Sequence, residues 1–177
     1  MEVAGVPVRT QYGINYRRTS GQSYSAADQR GIHHTRNLGI VMEGACDREA
    51  RALTRQTAER FGVTEPSDAL GALAFRDATG TLTTEDAGRV AHVPDSEEQT
   101  RYAAALSGYE TGVNRRYSHF LEEFAPGEED ECHVRSLVAM ISGDATTLGT
   151  WLDERHGPGT FMGLFRTPGY FDPALTA

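Results

Sequence analysis

The sequence predicts an α+β fold in which long helices pack on a small antiparallel sheet built from two hairpins, with an all-α bundle as the alternative. Three observations lead there. Apolar residues recur at helical spacing from residue 31 to 53 and again from 106 to 124. Short runs rich in Thr, Leu and Val flank turn-like sequences near residues 85 and 143. Capping signals, Gly and Pro separate these stretches.

Residues 1–24, rich in Gly, Ser, Arg and Tyr, read as an irregular N-terminal arm, 25–155 as a single α+β domain, and 156–177 as a Gly/Pro/aromatic tail. Ser25 and Asp28 stand at capping-box spacing, and the helix they open stops at Gly62, with Gly39 or Gly44 bending or dividing it. Its inner face is Gly31, Thr35, Leu38, Met42, Ala45, Cys46 and Leu53, with Glu49 among them. "EPSDALGALAF" supplies a short helix capped by Ser67.

"GTLTTEDAGRVAHVP" reads as a hairpin at about residues 80–93. Ser96 and Gln99 open a helix that continues to Phe124, where "APG" ends it. On that helix, a rotation of about 100° per residue gathers Leu106, Tyr109, Val113, Tyr117, Phe120 and Phe124 into one band. Glu110 lies at the edge of the band, with Asn114 one turn on and Tyr117 three residues later, whereas His119 projects away. "CHVRSLVAMISGDATTLGTWLD" fits either a helix or two strands; the β-branched and aromatic residues after "SGDA" favour the hairpin. The aromatic tail points to packing over a groove or onto a second subunit, that is, equally to a lid or to a homodimer.

With 177 residues the chain is long enough for one sizeable core. No apolar run approaches the roughly 20 residues a bilayer requires, and no secretory signal is visible, so a cytoplasmic location is expected. A net charge of −8 without a basic block argues against nucleic acid or a membrane surface as partner. All positive charge is arginine; the absence of lysine excludes lysine Schiff-base chemistry. Cys46 and Cys132 form no CxxC pair and read as reduced and buried.

The order of elements, with Val93-Pro94 before the long helix, Val113-Asn114 within it and Gly143-Asp144 followed by Thr146-Thr147, resembles the L-2-amino-thiazoline-4-carboxylic acid hydrolase family over roughly residues 25–153. The layout is also similar to the 4-vinyl reductase-like ligand-binding fold. Cysteines characteristic of the hydrolase family are replaced at these positions, so the resemblance implies the scaffold and a ligand cavity between long helix and sheet, without thiol chemistry.

Glu110, Tyr117, Glu49 and His34 are the candidate catalytic residues. A desolvated carboxyl beside a second acid has a raised pKa, so Glu49 and Glu110, facing one cavity, would divide the roles of proton donor and acceptor. Tyr117 or Tyr109 would polarise a carbonyl, and Asn114 would orient the substrate. Tyr109, Asn114, Asp144 and Trp151 are the substrate-binding candidates. Each has a plainer role: Glu49 pairing with an arginine, Glu110 reaching solvent, His34 at the surface, Asp144 in a turn, Trp151 closing the core. Asp130/His133 and Asp153/His156 have metal-ligand spacing, but no signature such as HExxH accompanies them, and no metal or other cofactor is assigned.

The expected function is cofactor-independent acid–base chemistry, namely hydrolysis, dehydration or cyclisation, on a small organic molecule in bacterial specialised metabolism. The alternatives are a non-catalytic small-molecule binding or sensing domain and an all-helical metal-dependent oxygenase using Glu49, Glu110 and histidines.

Overall fold

The computed structural model describes the backbone of Glu2–Val3 and Val6–Pro7 together with residues 33–83, 85–86 and 96–165, the side chain of residue 98 excepted. Over these residues the chain is all-α, which corrects the expected α+β class. Its strands amount to the short antiparallel ladder of Glu2–Val3 with Val6–Pro7. The helices are α1 (Leu38–Phe61), α2 (Ala69–Thr79), α3 (Glu97–Tyr109), α4 (Arg115–Phe124), α5 (Glu129–Ser142), α6 (Thr146–His156) and α7 (Thr160–Phe165). A π segment, Glu110–Asn114, joins α3 to α4. None of the described helices is long and apolar enough to cross a membrane.

Local chemistry accounts for the boundaries. Asn37 starts α1, its Oδ1 accepting from the N–H groups of Gly39 at 2.9 Å and Ile40 at 3.4 Å. The helix runs unbroken past Gly39 and Gly44 and stops where Gly62 turns left-handed at φ 63°. The capping box expected at Ser25–Asp28 lies outside the described residues. Asp68, rather than Ser67, caps α2, its Oδ1 accepting from Gly71 N–H at 2.7 Å. Ser96 Oγ accepts from Gln99 N–H at 3.2 Å and opens α3, as its spacing indicates.

Both expected hairpins require correction or limitation. Residues 132–152 are helical on both sides of "SGDA". There Gly143, at φ 75°, closes α5, and Asp144 Oδ1 accepts from Thr146 N–H at 2.9 Å, so the turn links two helices. Much of the hairpin expected at 80–93 lies outside the described residues. Its described portion holds a reciprocal box: Thr83 N–H donates to Asp86 Oδ2 at 3.0 Å, and Asp86 N–H to Thr83 Oγ1 at 3.1 Å. That pattern begins a helical turn, which residues 85–86 adopt. The sheet implied by the family resemblance is therefore absent from the described residues.

The chain divides into two compact units, residues 1–45 with 116–177, and residues 46–115. The first holds an apolar cluster of Leu38, Val41, Met42, Tyr117, Phe120, Trp151, Leu152 and Phe165 with their smaller neighbours. Gly44 permits its tightest approach: a Cβ there would stand 2.4 Å from Tyr117 Cβ. Among the described residues of the second unit the apolar cluster is Leu73 and Ala103 with Leu82 against them, and polar links also tie its helices together.

Candidate functional site

Those links converge on Arg51. Asp47 and Arg51 stand at i,i+4 on α1, the acid toward the helix N-terminus, which is the favourable order for an ion pair. Arg51 Nε lies 2.7 Å from Asp47 Oδ2, an approach not aligned as a hydrogen bond. Its Nη2 donates to Asp77 Oδ1 at 2.5 Å and its Nη1 to Glu110 Oε2 at 3.1 Å. One guanidinium thus serves Asp47, Asp77 and Glu110. The Arg51 and Glu110 side chains are only 14% and 13% exposed.

Neighbouring structure fixes this geometry. At the end of α2, Gly80 passes close to the Arg51 stem; a Cβ there would be 3.1 Å from Arg51 Cβ. Arg55 Nη1 donates to Thr79 O at 3.0 Å, a second tie between α1 and α2. Glu110 opens the π segment, whose wide turn is closed by Arg115 N–H on Glu110 O. Asn114 Nδ2 donates to Glu110 Oε2 at 3.0 Å, and Arg115 Nε is 4.0 Å from Oε1. Such π turns interrupt helices at a cost and recur at functional sites.

The charges are unequal. Burial raises the pKa of Asp77 above the ordinary aspartate value; Arg51 opposes the rise, and the nearby Asp47 and Glu110 charges add to it. Asp77 therefore gives up its proton less readily than an ordinary aspartate.

The sequence-derived candidates disperse. Glu110 and Asn114 meet as expected, but the α1 residue that bonds Glu110 is Arg51, not Glu49, which is half-buried and has partners of its own. Tyr109 is 36% exposed and lies outside the buried band. Tyr117 belongs to the other unit, buried, with its hydroxyl 2.9 Å from His133 Nδ1. His34 is a surface residue 3.4 Å from Glu123 Oε2. Asp144 is exposed; its hydrogen bonds to the Thr146 side chain and backbone hold its carboxyl below the ordinary range. Trp151 lies in the core beneath Arg155, whose Cζ is 4.0 Å from the ring centroid.

The metal-like spacings have other uses. His133 faces Tyr117, His156 Nε2 contacts Phe124 O at 2.8 Å, and Asp153 accepts from Gly159 and Phe161 N–H groups. Among the described residues no group of three or more His, Cys, Asp or Glu is arranged to hold a metal ion. Cys132 is buried, and burial pushes its thiol up to about 11; Cys46 is exposed, contrary to the buried role expected for it.

Sequence reasoning passed over Asp47, Arg51 and Asp77. The Asp47/Arg51 spacing was a readable signal; nothing local to Asp77 announces its partner. No protein-family model matches the chain, and neither curated proteins nor solved structures provide a match.

Proposed function

We propose that the protein performs acid–base chemistry on a small organic molecule through the Arg51 cluster of residues 46–115. Asp77 is the proton-carrying partner and Glu110 the acceptor, in place of the Glu49/Glu110 pair suggested by sequence. The observation that carries this reading is Arg51 bridging Asp77 and Glu110 at a π turn, with neighbouring acids and burial favouring protonation of Asp77. Asn114, already bonded to Glu110, is the orienting amide. No metal or organic cofactor enters the scheme.

The second reading is a non-catalytic binding or sensing domain. It is favoured by the engagement of Glu110 Oε2 by both Arg51 and Asn114, which leaves less acceptor capacity for a substrate. A screen of small carbonyl and amide compounds against the full chain, followed by backbone NMR and product analysis, separates the readings. The enzyme reading expects shifts at residues 47–51, 77 and 110–114, with turnover lost and binding retained in Glu110→Gln. Binding there without turnover supports the sensor. Ligands that shift only residues 116–165, or turnover unaffected by both Glu110→Gln and Asp77→Asn, overturn the placement of the site.

A further inference from the structure

Three carboxylates around one guanidinium cannot all be neutralised by it. Asp47 and Arg51 contribute from α1, Asp77 from α2 and Glu110 from the π segment; Arg115 of α4 stands at 4.0 Å from Glu110. The same contacts join α1 to α2 and α1 to the π segment. Proton content and cohesion are thereby coupled.

We propose that the Arg51 node is a pH-responsive clasp within residues 46–115, closed while it retains one proton and loosened when rising pH releases that proton to water. The reaction is simple dissociation of a carboxylic acid: an O–H bond breaks, the electron pair stays on the carboxylate, and the node gains one negative charge. Asp77 is the group concerned: burial acts on it first, Arg51 opposes, and the Asp47 and Glu110 charges add to the effect of burial. Its pKa in the folded chain is raised, so the folded state binds more protons than the unfolded state between the ordinary value of 3.8 and the folded one. Stability of the clasp falls as pH rises through that window. The neighbouring Arg76 node has the opposite sign: Asp86 is held low first by its Thr83 hydrogen bonds, and Glu65 first by its hydrogen bond to Arg76, so both favour folding at higher pH. A measurement local to the Arg51 contacts is therefore required.

Amide hydrogen exchange on the full chain provides it, read at the Arg115 N–H that closes the π turn and at the last turn of α2, and corrected for intrinsic pH effects. The expected result is an opening constant that rises with pH across the window in the parent and is flat in Asp77→Asn. Asp47→Asn, which removes one acidic neighbour and leaves Asp77 in place, is expected to move the midpoint to lower pH and remains informative should Asp77→Asn fail to fold. A pH-independent opening constant in the parent, an unchanged slope in Asp77→Asn, or an unmoved midpoint in Asp47→Asn overturns the proposal. The clasp rests on the same Asp77 proton as the proposed function; a flat opening constant in the parent, with turnover still lost in Asp77→Asn, overturns the clasp alone, whereas turnover unaffected by both Glu110→Gln and Asp77→Asn overturns the proposed function.

Discussion

Arg51 Nη1 lies 3.1 Å from Glu110 Oε2, while the other terminal nitrogen of the same guanidinium holds Asp77. Removing that cation leaves half-buried acids facing one another. Arg51→Met keeps most of the stem's packing and is expected to destabilise by about 2–4 kcal/mol in urea unfolding. A loss below about 0.5 kcal/mol would mean that the carboxylates are adequately served by solvent.

Gly44→Ala offers a test with an unusual sign. In an open helix this exchange stabilises by about 1 kcal/mol. Here the new methyl would meet Tyr117 Cβ at 2.4 Å, an atom close to the backbone with little room to move. The expected outcome is destabilisation of about 1–3 kcal/mol, seen as a lowered Tm.

Tyr117→Phe removes the hydroxyl that lies 2.9 Å from His133 Nδ1 and leaves the ring packed beside Phe120. A cost of about 1–2 kcal/mol is expected in denaturant unfolding, with the ligand-binding and turnover properties assigned to residues 46–115 unchanged. A selective loss of turnover would return Tyr117 to the catalytic set.

The cysteines differ in reactivity. With the Cys132 thiol pushed up to about 11, only about one molecule in a thousand carries its thiolate at pH 8. Native protein should therefore take up one equivalent of an alkylating reagent rapidly, at exposed Cys46, and the second only on unfolding. Peptide mapping of the labelled residue checks the assignment.

Asp86→Ala should cost about 1 kcal/mol through loss of the Thr83 box. The parent's Asp86 pKa is lowered, so its contribution is present above the ordinary value of 3.8 and disappears as pH falls through the folded one. The stability difference between parent and variant should accordingly narrow in acid, as urea melts at a series of pH values would show.

Much of the helical framework was legible because capping is local. Ser96 with Gln99, the stop at Gly62, and the inner positions Leu38, Met42 and Ala45 needed only sequence spacing. Gly143-Asp144 misled for a physical reason: the same residues that make a hairpin turn also close one helix and cap the next. At "EDAG", expected as a turn between strands, Asp86 instead closes a capping box with Thr83. Along the 97–124 stretch, the π segment inserts an i→i+5 turn, so side chains no longer follow a uniform rotation, and Tyr109 falls outside the buried band. The Glu110–Asn114 relation was visible because it lies within one turn. Asp77 was not, since its partner is 26 positions away in sequence.

Whether Asp77 beside Arg51 titrates above an ordinary aspartate is decided by carboxyl carbon NMR of the intact chain, with the Asp77 resonance assigned through Asp77→Asn. The expected midpoint lies above the ordinary aspartate value of 3.8 and moves down when Asp47 is replaced by Asn. A midpoint at or below 3.8 would contradict this, leaving Arg51 as a plain ion-pair hub with neither a proton-carrying acid nor a pH-responsive clasp.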